Sequence, residues 1–176
     1  MKITKANILK KIKIKKAKIP YLISFSKKSF EEKKDKIINK ILNEFKNEVA
    51  VRSSNILEDQ KKSSYAGHFK SFLNIKKSNQ KKLKSKINDV FNSYKIKQKE
   101  DKRNEVIVQD MVKDVVLSGV ATSCDKDNFT PYYIINFSKS KKTSEITSGN
   151  LNGSTFVYYF KSKHLPRNIY LKKIIY

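Results

Sequence analysis

The order of patterns along the chain predicts an α+β fold. Two stretches repeat apolar residues at helical spacing, and several short runs are β-branched or aromatic. Helices and strands mix in the first part before strands take over. Residues 5–19 alternate Lys with Ile, Leu and Ala, predicting an amphipathic helix that stops before Pro20, because the residue ahead of a proline is driven out of helical geometry. Tyr21 to Phe25 reads as a short buried strand. Ser29 followed by Glu32 forms a capping box that opens a helix, and Ile37, Ile38, Ile41, Leu42 and Phe45 behind it fall on one apolar stripe. A strand at Glu48–Arg52 runs into a polar stretch, Ser53 to Gly67. Phe69, Phe72, Leu73 and Ile75 mark a short strand pair or an extended segment. Leu83, Ile87, Val90, Phe91 and Tyr94 stripe a second amphipathic helix over about 79–95.

The character then changes. Val106–Val112 and Val115–Ala121 are β-branched runs split by Lys113-Asp114, a hairpin-like pattern. Tyr132–Phe137 and Thr155–Phe160 are two further strands, joined by a Ser/Lys/Thr-rich connector. These patterns divide the chain into a helix/strand part over 1–105, a strand-rich part over 106–160, and an unassigned tail over 161–176. Glycines occur only at 67, 119, 149 and 153, and no GxGxxG or Walker A run is present, so neither a dinucleotide fold nor a P-loop ATPase is supported.

The chain has 176 residues, 38% of them apolar, enough for a packed core in one ordinary domain or one and a half small ones. It carries 40 Lys+Arg against 16 Asp+Glu, a formal charge of +24. Such a charge invites polyanions, yet 37 of the cations are Lys and only Arg52, Arg103 and Arg167 are Arg. Specific base and phosphate recognition favours the planar guanidinium fork, so no specific nucleic-acid partner is expected. The excess is also uneven: residues 1–48 hold +10, whereas 49–75 hold +2 and 106–137 hold −2. It therefore reads mainly as solvated Lys faces on helices and connectors. No window approaches the roughly 18 apolar residues of a membrane span. The start, Met1 to Lys5, lacks a leader pattern, and the lone Cys124 excludes an intrachain disulfide, so a cytoplasmic location is expected.

The informative segment is Val51-Arg52-Ser53-Ser54, then Glu58-Asp59, Ser63-Ser64-Tyr65-Ala66-Gly67-His68 and Ser71-Phe72-Leu73-Asn74. A strand delivers an Arg and two hydroxyls to its end, and a small-residue turn follows. Phosphate suits this set: Arg52 offers a charge-assisted fork, Ser53 and Ser54 offer hydroxyls, and Ala66-Gly67 lets backbone N–H groups approach closely. Physics alone leaves an equal alternative, a strand end with a Ser-rich loop in which Arg52 pairs with Glu58 or Asp59.

The same residues resemble the N-terminal ATP-binding (PEP/pyruvate-binding) domain of phosphoenolpyruvate synthase and pyruvate phosphate dikinase, an ATP-grasp relative. Its Val-Arg-Ser-Ser strand end, Glu-Asp, Ser-x-Ala-Gly loop and Ser/Thr-Phe/Tyr-Leu-Asn segment occur in order over 51–74. Val108-Gln109-Asp110-Met111-Val112 and Ser118-Gly119-Val120-Ala121 are similar to its later elements, and Lys5-Ala6-Asn7-Ile8-Leu9 with Ile19-Pro20 to its start, without the glycines before the Lys. The resemblance covers about residues 3–150. It implies an ATP-grasp-like fold with an N-terminal subdomain and part of a strand-rich second one. It further implies that Lys5 and Arg52 contact the phosphates of ATP beside Ser53, with Arg52 offsetting charge during phosphoryl transfer. Ser64, Ala66 and Gly67 would belong to a loop closing over the phosphates. Gln109, Met111 and Val112 would form a hinge strand against the adenine. Without the resemblance, the readings of Met111 as core and of Gln109 as an edge-strand polar residue stay open as the lesser alternatives. His68, where the family usually has Gln, reads as a loop neighbour, and His164 has no nameable partner.

Departures bear on activity. The family's domain is nearly twice as long, and its later half supplies the acidic residues that hold Mg²⁺ and a Gln-x-Arg element. After residue 121 the only carboxylates here are Asp125, Asp127 and Glu145. The resemblance thus implies ATP and Mg²⁺ as cofactors, with the Mg²⁺ ligands missing from this chain. It implies a small-molecule phosphoryl acceptor, and either truncation or a separate chain supplying the rest of the enzyme. Residues 132–150 are more similar to a branch associated with surface-polysaccharide gene sets, in which an amide or small metabolite is phosphorylated, as in glutamine kinase. A catalytically incomplete ATP-grasp-like fragment or a basic interaction domain without turnover is the alternative, and a nucleic-acid-binding protein the remaining one.

Overall fold

The computed structural model describes residues 4–13, 17–56, 69–94, 103–125, 128–139, 153–164, 166–168 and 170–172. The described elements are α1 (Lys5–Lys11), β1 (Leu22–Ser26), α2 (Lys27–Glu32), α3 (Lys34–Glu44), β2 (Glu48–Ser54), β3 (Ser71–Lys76), α4 (Gln80–Tyr94), β4 (Glu105–Asp110), β5 (Ser118–Thr122), β6 (Tyr132–Ser138) and β7 (Ser154–Tyr159). The class is α+β, and the chain divides into two units, Met1–Met111 and Val112–Tyr176.

In the first unit a four-stranded antiparallel sheet runs in the order β1-β4-β2-β3. Its apolar face carries Phe25, Val49, Val51, Ile75, Val106 and Val108, and the stripes of α3 and α4 complete the core with Ile38, Ile41, Leu83, Ile87 and Val90. Phe25, Phe30 and Phe91 close one end as a triad of rings, with centroids 5.4–6.3 Å apart. At the other end, Lys77 reaches the carbonyl oxygen of Phe45 (2.6 Å) and that of Leu42. It thereby meets the unpaired carbonyls at the C-terminus of α3 with a positive charge. Asn74 sits in the left-handed region (φ 55°) beside the register shift between Val49 and Val51, a conformation Asn tolerates.

Several expectations change. The first helix ends at Lys11, and Ile12 is extended (φ −66°, ψ 128°). The sequence there, Ile12-Lys13-Ile14-Lys15, alternates with period two and offers a helix no apolar stripe. The helix start lies three residues earlier than the Ser29 capping box: Ser26, the last residue of β1, accepts from the Ser29 N–H (3.2 Å). A break at Lys33 (φ −128°) then leaves the Ile37–Leu42 stripe to α3 alone. The segment around Phe72 is one strand, paired to β2.

The hairpin expected from Val106 to Ala121 does not form. β4 is an inner strand with β1 on one side and β2 on the other, so it has no open edge for β5. By the same token Gln109 is not an edge-strand residue. Asp114, at φ 53°, lies between the two strands.

The second unit holds a three-stranded antiparallel sheet, β5-β6-β7. Ile135 and Tyr158 are buried on one face, where the Tyr133 and Tyr158 rings stack at 6.4 Å. Gly119 lies so close to β6 that an added Cβ would stand 2.3 Å from the Asn136 carbonyl oxygen, which explains the glycine in this strand.

Candidate functional site

Strand alternation gives the first sheet a second, more polar face. Val49, Val51 and Ser53 point to the core side, so Ala50, Arg52 and Ser54 point away from it. The register sets Ala50 opposite Gln109, Arg52 opposite Ile107 and Ser54 opposite Glu105, and adds Leu22 and Ser24 from β1 to the same face. Arg52 and Gln109, far apart in sequence, are thereby brought together: Arg52 Nη1 donates to Gln109 Oε1 at 3.4 Å. The Gln109 amide is held from its other end, where Nε2 donates to the Pro20 carbonyl at 3.4 Å. Among the described residues that long, neutral bond is the one side-chain hydrogen bond of Arg52, and no carboxylate pairs with it. The guanidinium is half-buried, with most of its donors uncommitted among the described residues.

α1 lies at the same strand end. Thr4 caps it by accepting from the Asn7 N–H (3.3 Å), and the Ala6 N–H, one of the unpaired donors of the first turn, donates to Ser54 Oγ at 2.9 Å. Ala6 is fully buried, and the residue before it is Lys5, so α1 brings Lys5 to the strand that carries Arg52. The Ser54 N–H donates to the Tyr94 hydroxyl (3.0 Å), which donates to the Glu105 carbonyl (2.7 Å), tying α4 into the same corner.

Ser53 stands differently. Its side chain is buried on the core side, opposite in direction to Arg52. Beyond β4, the Met111 N–H donates to the Glu48 carbonyl at 3.1 Å, and the Asp110 N–H to the Tyr21 carbonyl at 2.9 Å. The backbone donor of Met111 is therefore committed within the sheet, while Val112 is 57% exposed. Val112 lines a cleft of about 370 Å³ with Asp114, Val115 and Val116, all in the second unit. Ser64, Ala66, Gly67 and His68 lie outside the described residues, as do Glu58 and Asp59. His164 sits in an exposed turn, its N–H on Ser162 Oγ.

Sequence reasoning passed over Glu105, Ser24 and Tyr94. Tyr94 was read as one more member of an apolar stripe, but a buried phenol needs a partner for its hydroxyl, and that requirement was the available signal. Glu105 carried none, since a carboxylate heading a β-branched run looks like any solvated charge.

No helix among the described residues is long and apolar enough to cross a membrane. A family model described as the pyruvate phosphate dikinase AMP/ATP-binding domain matches residues 2–168. No curated protein matches the chain.

Proposed function

The chain belongs to the pyruvate phosphate dikinase AMP/ATP-binding domain family, and from that membership we propose that it is the ATP-binding part of an ATP-dependent phosphotransferase related to phosphoenolpyruvate synthase, with a small-molecule phosphoryl acceptor. The observation that carries this reading is Arg52: a half-buried guanidinium on a polar sheet face, turned by one long bond to Gln109 and carrying no carboxylate partner among the described residues. A group so placed is suited to an incoming polyanion, because a charge-assisted fork to phosphate oxygens is far stronger than the neutral bond it exchanges.

In this reading Lys5 and Arg52 hold the phosphates, and Gln109 orients Arg52. Ser64, Ala66 and Gly67 close over them, and Met111 and Val112 serve the adenine, as the family resemblance implies. Ser53 serves the strand end from the core side. The architecture is ATP-grasp-like. Catalysis is by positioning and by offset of charge on the transferred group at Arg52; no side chain of this set forms a covalent intermediate. Among the described residues no group of three or more His, Cys, Asp or Glu is placed to hold a metal ion. No such group among the described residues fits a protein-held Mg²⁺. The reading leaves that ion's carboxylates to other residues or to a separate chain, and it puts the protein in the cytoplasm, where ATP is abundant.

A thermal-shift titration with ATP, GTP and inorganic triphosphate tests the proposal. Selective binding raises the midpoint for ATP most, by about 2.7 kcal/mol of stability at a hundredfold excess over Kd. Equal shifts with all three would favour a basic domain that attracts polyanions by charge alone, and no shift with any of them would favour an incomplete fragment without a formed nucleotide site.

A further inference from the structure

The three strands of the second unit, β5, β6 and β7, carry no charged residue, in a chain where 32% of residues are charged. Strand alternation puts Val120, Tyr132, Val157 and Tyr159 on one face of this sheet, and all four are exposed, Val157 to 55%. β7 is an outer strand, and among the described residues no strand pairs with its far edge. Edge strands are normally guarded by Lys, Pro or a bulge, because their open backbone groups pair with any strand that reaches them. β3, at an edge of the other sheet, has a register shift against its neighbour and ends on Lys76. β7 reads Ser-Thr-Phe-Val-Tyr-Tyr and has none of these guards.

The hydrogen-bond phase fixes which groups are open. In an antiparallel pair, bonded and non-bonded residue pairs alternate. The Phe160 N–H donates to the Pro131 carbonyl (3.3 Å), continuing the register in which Tyr159 faces Tyr132. Tyr158, Phe156 and Ser154 therefore turn their backbone groups to β6, while Tyr159, Val157 and Thr155 turn theirs to the open edge. The Tyr159 carbonyl accepts from the Ser162 N–H (2.9 Å). That leaves the N–H groups of all three residues and the carbonyls of Thr155 and Val157.

Two copies of this edge complement each other. Antiparallel pairing about a two-fold axis at Val157 sets Val157 against Val157 and Thr155 against Tyr159. The Val157 and Tyr159 N–H groups then lie opposite open carbonyls of the other copy. The same register sets Lys161, the first cation after the strand, opposite Gly153, so no cation faces a cation. Charge also favours a copy as the occupant. With 40 Lys+Arg against 16 Asp+Glu, the rest of the surface repels another copy, and the uncharged sheet is where two chains approach at least cost. An acidic strand laid on β7 would find no opposite charge there to pair with.

We propose that two copies of this chain pair through β7, joining their three-stranded sheets into one continuous antiparallel sheet. Screening removes the repulsion between two chains of +24 and leaves the backbone bonds in place, so the dimer strengthens as salt rises, whereas polyanion binding weakens.

Sedimentation velocity of the whole chain, at low salt and at about 0.5 M sodium chloride, where the screening length is about 4 Å, tests this. The parent is expected to gain dimer with salt and with concentration. Val157→Lys sets two ammonium groups against each other at the two-fold axis and removes an apolar contact, so it should weaken the dimer about tenfold. Val120→Lys, on the same face but on the far strand, should change it less than about twofold. Hydrogen exchange reads the same bonds without a substitution, and it decides the matter if the urea midpoint of Val157→Lys shows a loss of folding. The Val157 and Tyr159 amides should slow in the dimer, and those of Phe156 and Tyr158, already turned to β6, should change less. A parent that stays monomeric at high salt, or a dimer that weakens as salt rises, overturns the proposal. So do equal losses from the two Lys variants, or Val157 and Tyr159 amides that exchange alike in monomer and dimer.

Discussion

Arg52 is the residue on which most depends, and its environment makes a quantitative claim. It exchanges one 3.4 Å bond to a neutral amide for bonds to phosphate oxygens, and bonds to charged groups contribute about 1.5–3 kcal/mol. Arg52→Ala should therefore weaken ATP about 10- to 100-fold by calorimetry, with a nearly unchanged unfolding midpoint, since Gln109 keeps its contact with Pro20. Removing Lys141 and Lys142 should change affinity less than about twofold if binding is site-specific. Tyr21 supplies a pH-dependent case. Its hydroxyl donates to the Glu44 carboxylate, and that bond, slight burial and the charges of Glu44 and Asp110 raise its pKa above the ordinary 10.0. A raised folded-state pKa means the stabilisation is complete below the unfolded value and is lost as pH climbs through the folded one. The stability gap between the parent and Tyr21→Phe should stay constant up to about pH 9 and shrink above pH 10, as followed by urea denaturation.

Elements show where local pattern was sufficient and where it was not. The stripes of α3 and α4 were readable because an amphipathic helix buries one face against a sheet whatever the topology, and Ile38, Ile41, Leu83 and Ile87 are all but fully buried. The start of α2 was misread because Ser26 and Ser29 are both capping residues, and only the end of β1 at Ser26 decides between them. The Val106–Ala121 hairpin was a reasonable expectation from two β-branched runs and a short break. It fails because β4 is already paired on both edges. β5 pairs with β6 instead, and Gly119 allows the close approach. Gly119→Ala would drive a methyl into the Asn136 carbonyl. The strand must then shift at a cost of about 1–3 kcal/mol, seen as faster hydrogen exchange at the β5–β6 amides with β1–β4 unchanged.

At the scale of the whole molecule, the net charge of +24 means that any polyanion will associate weakly at low salt. The ATP titration repeated at about 0.3 M salt, where the screening length is near 6 Å, should lose the triphosphate shift and keep most of the ATP shift. Loss of both in parallel would identify diffuse electrostatics. What the sequence determined by itself was the α+β class, the two long amphipathic helices, most of the strands and the Arg52 segment, because these rest on short-range periodicity and on residue types with one dominant chemistry. Tertiary structure alone decided that Arg52 meets Gln109, that Ser53 and Arg52 face opposite ways at the end of β2, and that Ser54 takes the Ala6 N–H of α1. Those facts follow from the register of β2 against β4 and from the side of the sheet on which α1 docks. Both are set by contacts between residues about fifty or more positions apart in the sequence, and no local pattern encodes them.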